Sequence, residues 1–365
     1  MNILIDLGHP AHVHLYKNFY FEAKERGHNI FVTVKEIPSA IRLLDAYGIK
    51  YIVIGKKGKT KIGKFIKQIW FDLRTIWIVI RYRIDIGLGS SITTTHVSLV
   101  TAMKSIIFDD DDDDVQPLFV KFAHPFATEL LSPDALRGNR GRVDTIFYPA
   151  YHEIAYLHPS RFNPDPGILD RAGIKKGDPY FILRFNQFLA HHDYNVDGLT
   201  LQQKEKLINV LLPHGRVFVT TESESDHVFD KYRIKIDSTE IHSFIYYAKL
   251  FLGDSQTMSS EASVLGTPSI RCNSLVGRIS SLNEQEKKYG LCFGFKPEDL
   301  ENMLSKIIEL LANQNLREEW EVKRDNMLKD KFDLSGFMLW FVENYPASKE
   351  YRNDRTIFKQ KEITE

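Results

Sequence analysis

Three features of the chain predict an α/β protein made of two Rossmann-type, doubly wound domains. Short, near-continuous apolar runs recur along it, as expected for strands buried on both faces of a parallel sheet. Stretches of helical period separate these runs, so strand and helix alternate. The proline-rich segment "HPSRFNPDPG", His158 to Gly167, interrupts the alternation near the middle. A chain of 365 residues is also too long for one ordinary core and suits two domains of roughly 150 residues plus extras.

The first run, "NILIDLG" (Asn2 to Gly8), reads as a strand followed by the loop "HPAH". Val13, Tyr16, Tyr20 and Ala23 then recur at helical spacing, Gly27 closes the helix, and "NIFVTV" is the next strand. The chain thus opens on a βαβ unit. "AIRLLDAYG" continues as helix, and "KYIVIG", "DIGLGS" and "KSIIFDD" as strands. After the proline-rich break comes a second series: strand "PYFILRF", helix "LQQKEKLINVLL", strand "GRVFVTT", helix "IHSFIYYA", strand "KLFLGDS", helix "QTMSSEASVLG" and strand "PSIRC". These readings place a first domain at 1–165 and a second at 166–325. A helical segment with a frayed, charged tail occupies 326–365.

Composition excludes several classes. Lys+Arg and Asp+Glu are both 48, so no overall basic field points to nucleic acid. The two cysteines, Cys272 and Cys292, lack metal-type spacing and fit a reduced compartment. The N-terminus has no signal-peptide pattern, and no stretch is long enough to span a membrane. The expected location is cytoplasmic.

In an open α/β sheet, ligands sit beyond the carboxyl ends of the strands. That rule selects "GDSQTMSSEASVLGTP", where Asp254 or Ser255 caps a helix that Gly266 ends. A helix start rich in Ser and Thr offers backbone N–H groups and hydroxyls to a diphosphate. Glu261 lies beside the apolar stripe of Met258, Ala262 and Leu265, and a carboxylate there needs a donor. Ribose hydroxyls would supply one; a neighbouring arginine or its own helix are the alternatives.

This motif resembles the sugar-nucleotide site of GT-B glycosyltransferases and of UDP-N-acetylglucosamine 2-epimerases. It is most similar to that of the peptidoglycan N-acetylglucosaminyltransferase group. The resemblance implies a GT-B-like fold, two Rossmann-type domains facing across a cleft. In it Ser255, Gln256, Thr257 and Met258 would meet the diphosphate of a nucleotide-sugar, with a UDP-linked donor expected, and Glu261 the ribose. "GHPAHVHLYKNF" resembles the group's glycine-rich first loop, without its usual glycine spacing, and puts His12 at the active-site histidine. Over both domains the chain is similar to an archaeal and bacterial GT-B-like family filed as a domain of unknown function. The implied activity is metal-independent glycosyl transfer without a cofactor, to a glycan or lipid-linked acceptor in polysaccharide biosynthesis. A sugar-nucleotide 2-epimerase and a non-catalytic nucleotide-sugar-binding protein are the alternatives.

The residues themselves leave other roles open. "HPAHVH" puts His9, His12 and His14 on a loop at a strand's carboxyl end, where an imidazole suits general-base work or caps the helix. Arg184, ending the strand "FILRF", would oppose the charge of a departing diphosphate or make an ordinary ion pair, and His191 and His192 follow it. Ser90, in "GLGSS", is an acceptor-side candidate. The run of six aspartates, Asp109 to Asp114, reads as a solvated loop and not as a metal motif. Residues 56–83 carry nine Lys/Arg and one Asp among Trp, Phe and Ile. Such a helix either seats in an anionic membrane interface or buries Ile66, Ile69, Leu73 and Trp77 against the sheet while its lysines stay wet.

Overall fold

The computed structural model describes residues 1–56, 58, 60–185, 198–221 and 227–358. His191 and His192 lie outside these residues. The chain divides into two compact units, Met1–Tyr156 with Phe332–Glu365, and Leu157–Lys331.

The first unit begins with β1 (Asn2–Leu7), α1 (Pro10–Glu25), β2 (Asn29–Lys35), α2 (Pro38–Ala46) and β3 (Ile52–Gly55). It continues with α3 (Lys61–Tyr82), β4 (Ile86–Leu88), α4 (Ile92–Val100), β5 (Lys104–Phe108), α5 (Pro117–Phe122), β6 (Glu129–Pro133) and β7 (Ile146–Tyr148). Its sheet has seven strands in the order β3-β2-β1-β4-β5-β6-β7, every pair parallel. The order reverses beside β1, so the crevice between the β1 and β4 ends is the topological switch point. β1 is apolar except for Asn2 and Asp6 and is buried from Ile3 to Leu7, as a central strand requires.

Helix α1 starts at Pro10, whose missing N–H costs nothing at a first turn, with the His9 side chain accepting from Ala11 N. Its Val13, Tyr16, Tyr20 and Ala23 are all buried, as their spacing predicts.

The second unit follows α6 (Ile154–Leu157) and contains α7 (Gly167–Arg171), β8 (Tyr180–Phe185), α8 (Leu201–Leu211), β9 (Arg216–Thr221) and α9 (Ile241–Tyr247). Then come β10 (Leu250–Gly253), α10 (Gln256–Leu265), β11 (Ser269–Cys272), α11 (Ser280–Lys287), β12 (Cys292–Phe295), α12 (Leu300–Ala312) and α13 (Leu316–Asp330). Five parallel strands are ordered β12-β11-β10-β8-β9, with the switch between β8 and β10.

The chain then re-enters the first unit as α14 (Leu334–Glu343), which is buried almost all round and packs on α1. Ser335 Oγ donates to Ala155 O at 2.8 Å, and Arg26 pairs with Glu343 at 3.0 Å.

Two readings are corrected. Of the six consecutive aspartates only Asp114 is exposed, while Asp109 and Asp112 are buried. The run is therefore a folded loop, and its partners are described below. Helix α3 buries Phe71, Thr75, Ile78 and Val79. Ile66, Ile69, Leu73 and Trp77 face outward instead.

Candidate functional site

Each unit gathers polar groups at the carboxyl ends of its strands. In the second unit the turn from β10 into α10 is set by Gly253, at φ 156. A Cβ there would stand 2.1 Å from the carbonyl oxygen of Arg184 on the neighbouring strand, so only glycine lets β10 approach β8 this closely. Ser255 caps α10, its Oγ accepting from Met258 N at 3.3 Å. Ser255 is buried, whereas Gln256, Thr257 and Met258 are half-buried around the helix start. A helix N-terminus carries unsatisfied N–H groups and the positive end of the macrodipole, which together favour an anion.

Fully buried Arg271, at the end of β11, stands beside this start. Its Nη1 donates to Gln256 Oε1 at 3.3 Å and its Nη2 pairs with Glu286 at 3.3 Å. Gln256 in turn donates to Asn273 Oδ1 at 2.8 Å. Arg184 is half-buried at the end of β8 and reaches Thr220 Oγ1 at 2.9 Å.

Glu261 is 4% exposed. Oε1 lies 3.0 Å from Nε2 of His242 on α9, a residue that is itself buried.

In the first unit, α1 and the loops after β4, β5 and β7 meet. The His12 Nδ1 accepts from Gly8 N at 3.4 Å, which leaves the neutral ring's proton on Nε2 and suits a hydrogen-bond donor. His9 is exposed and caps the helix through its Nδ1. His14 is turned inward, stacked on Tyr156 and 3.1 Å from Tyr47 Oη. The three imidazoles thus part company: one caps, one packs, and His12 turns toward Asp110. Ser90 Oγ donates to Phe108 O at 2.5 Å and ties the β4 loop to β5.

The aspartate loop supplies the charged centre that the sequence reading missed. Asp110 Oδ1 lies 3.0 Å from His152 Nδ1, and His152 Nε2 lies 3.1 Å from Tyr148 Oη. Burial pushes the Asp110 carboxyl up, but the His152 charge and hydrogen bond, helped by His12, outweigh it and leave the carboxyl below its ordinary range. For His152 burial works against the charge, yet Asp110 more than compensates and proton affinity is raised. Both shifts favour the charged forms, carboxylate and imidazolium.

Asp109 Oδ2 meets His124 Nε2 at 2.9 Å and Arg140 Nη1 at 3.0 Å, and Arg140 also pairs with Asp113. Asp112 accepts from Asn139 at 2.8 Å. Asp111 is pushed well up by burial and then by Asp110 and Asp109, which favours its protonated form. Tyr16, buried and facing the same aspartates, has its phenol raised by burial first and then by Asp110 and Asp109. Among the described residues Asp109, Asp110 and Asp111 place ligand oxygens within 4.8 Å of one another. His124 and Arg140 already pair with Asp109, and His152 with Asp110. Proximity alone does not make it a metal site.

The missed residues left a faint trace. Tyr148 and His152 stand four apart just past a strand, and the aspartates begin where β5 ends. A cavity of about 870 Å³ in the second unit, lined by Tyr180, Tyr246, Lys249 and Arg317, opens at the amino ends of the strands, away from these groups.

Two parallel α/β sheets, one in each unit, give the architecture found in GT-B glycosyltransferases and nucleotide-sugar epimerases. The chain belongs to the family described as "Protein of unknown function (DUF354)", whose model matches residues 1–315. An uncharacterised protein of Methanocaldococcus jannaschii is 20% identical over 303 residues, covering 79% of this chain and 86% of that one. Among solved structures, the glycosyltransferase VinC in complex with dTDP is similar with a TM-score of 0.62 and 10% identity, covering 96% of this chain and 100% of that one. Spinosyn rhamnosyltransferase with spinosyn aglycone has a TM-score of 0.61 at 10% identity, covering 94% and 100%. A UDP-N-acetylglucosamine 2-epimerase has a TM-score of 0.62 at 15% identity, covering 87% and 89%. At such identities the likeness is one of fold.

Proposed function

We propose that the protein is a nucleotide-sugar-dependent glycosyltransferase, using a UDP-linked donor and a glycan or lipid-linked acceptor. The observation that carries this reading is the β10–α10 junction. There a serine-capped helix start, half-exposed Thr257 and a histidine-held Glu261 lie on one short helix. The diphosphate would take the α10 N-terminus, with Ser255, Gln256, Thr257 and Met258 around it. Glu261 would accept from the ribose hydroxyls, and Arg184 would oppose the charge of the leaving diphosphate. In the first unit His12 would donate through Nε2 to the reacting sugar or acceptor. The Asp110–His152 pair would fix the field around it. His9, His14 and Ser90 keep structural roles in this reading. The peptidoglycan-type likeness of the motif belongs to the same proposal.

A 2-epimerase is the second reading, favoured by one observation: Asp110, Asp111 and His152 supply acid and base groups close together. Calorimetric titration with UDP tests the shared nucleotide site. Micromolar binding that Glu261→Gln weakens at least tenfold supports it, since that factor is about 1.4 kcal/mol. No binding by the folded wild type would sink both enzymes as UDP-sugar proteins. Product analysis with UDP-N-acetylglucosamine and no acceptor then separates epimerase from transferase. Binding without turnover under either condition would leave a binding protein.

A further inference from the structure

Helix α3 has two apolar faces, and the fold uses only one. Phe71, Ile78 and Val79 enter the core of the first unit with Leu4, Ile54, Val97 and Met103. On the opposite side Ile66, Trp70, Leu73, Trp77 and Ile80 are 59%, 55%, 57%, 61% and 66% exposed. At 100° per residue these five, with Ile62 and Ile69, fall within an arc of about 100°. Seven large apolar side chains aligned along one solvent-facing helix side are not the scattered exposure of an ordinary surface.

The charges say what the face meets. Lys67, Arg74 and Arg81 recur at seven-residue spacing, all exposed, and form a stripe along one edge of the apolar arc. The helix has a single acidic residue, Asp72, on the far edge, where Gln68 and His96 already engage it. The outer face is therefore apolar with a cationic stripe along one edge, and the acidic residue on the other edge is already engaged. A second copy of the chain would set this stripe against itself in a two-fold contact, like charge facing like charge. An anionic lipid surface matches both the apolar arc and the stripe. At 22 residues α3 is about 33 Å long, and its apolar arc runs along the whole length, so it would lie in the interface plane. No helix among the described residues is long and apolar enough to cross a membrane, which agrees with a helix that lies on the bilayer.

We infer that α3 is an in-plane docking helix for anionic membranes. Ile66, Trp70, Leu73 and Trp77 enter the headgroup–acyl boundary, and Lys67, Arg74 and Arg81 contact lipid phosphates. This attachment is independent of the reaction above and can hold or fail without it.

The test uses the full chain and vesicles of phosphatidylcholine with or without phosphatidylglycerol. Co-sedimentation should require phosphatidylglycerol and fall in high salt. The triple change Lys67→Gln, Arg74→Gln and Arg81→Gln should weaken binding roughly a hundredfold, at the usual increment for each interfacial cation. Trp70→Ser with Trp77→Ser should abolish it while circular dichroism stays that of the wild type, because both side chains are exposed. Binding should also shift tryptophan emission to the blue. Of the four tryptophans, Trp320 is buried and Trp340 half-buried, so the shift reports Trp70 and Trp77. Failure of the folded wild type to bind phosphatidylglycerol vesicles would overturn the inference. So would binding unchanged in both variants, or a wild-type dimer that the double tryptophan variant turns into monomer.

Discussion

The β4–α4 and β10–α10 junctions are built on one plan and put to different ends. Leu88-Gly89-Ser90-Ser91 and Leu252-Gly253-Asp254-Ser255 each leave a strand at the switch point of its sheet and start a helix. Both glycines have positive φ, and a Cβ on either would strike a carbonyl oxygen of the sheet's first strand, 2.4 Å from Asp6 O and 2.1 Å from Arg184 O. Ser91 and Ser255 each cap their helix. Beyond the cap the two diverge. Of the corresponding Ile92, Thr93 and Thr94, both threonines are buried, and Thr93 is taken by Gln68 at 2.9 Å, so the first helix start is more closed by its own unit. Gln256, Thr257 and Met258 are half-exposed, so the second is open. The backbone device makes the crevice, and the residues after the cap decide how far the helix start is covered.

The largest test of this comparison is at the glycines. Gly253→Ala and Gly89→Ala should each destabilise their own unit by roughly 3 kcal/mol or more, because backbone rather than a flexible side chain is in the way. Urea unfolding with unit-specific probes would show it, and a loss under 1 kcal/mol in either would mean that the close approach is soft. Next in size, Glu261→Gln and His242→Ala should each weaken UDP at least tenfold, about 1.4 kcal/mol. Equal UDP affinity in wild type and both variants would remove the functional difference between the junctions. Smaller still, Ser255→Ala and Ser91→Ala should each cost about 1 kcal/mol of stability as lost caps. Only the former should also weaken UDP, so matched effects on calorimetry would break the contrast.

The smallest effect is on pH. His152 has raised proton affinity, so its contribution is complete below the ordinary imidazole value, about 6.5, and is lost as pH rises through the folded value. Asp110 is lowered, so its contribution is present above the ordinary carboxylate range and is lost as pH falls through the folded value. The first unit's melting temperature should drop as pH rises through the folded value of His152. His152→Gln should flatten that slope, and an identical profile in the variant would dissociate the pair from it.

Much of the architecture was legible because apolar period is a local signal. The strands 2–7, 180–185 and 250–253 and the helix 256–265 follow directly from runs, caps and Gly266. The faces of α3 were not, since both are apolar and only tertiary packing selects Phe71 and Ile78 over Ile66 and Trp77. The aspartate run misled for a related reason. Six like charges repel in isolation, but Arg140, His124 and His152 come from 10 to 43 residues farther along the chain and meet them only when β5 to β7 align. His242 was hidden in the same way, as one histidine in an apolar helix until α9 lay beside Glu261.

The return of the chain through α14 bears on how the protein is made. Phe337 of α14 packs 5.8 Å from Tyr148, which in turn touches His152. The first unit therefore gains its last core helix only after the whole second unit has left the ribosome. Synthesis proceeds from the N-terminus and domains generally fold as units. The second unit, continuous from 157 to 331, can close on itself while the first still waits with an unfilled groove along α1. Nascent chains stalled before residue 332 should hold a protease-resistant second half and a sensitive first half, the reverse of the order in which the halves emerge.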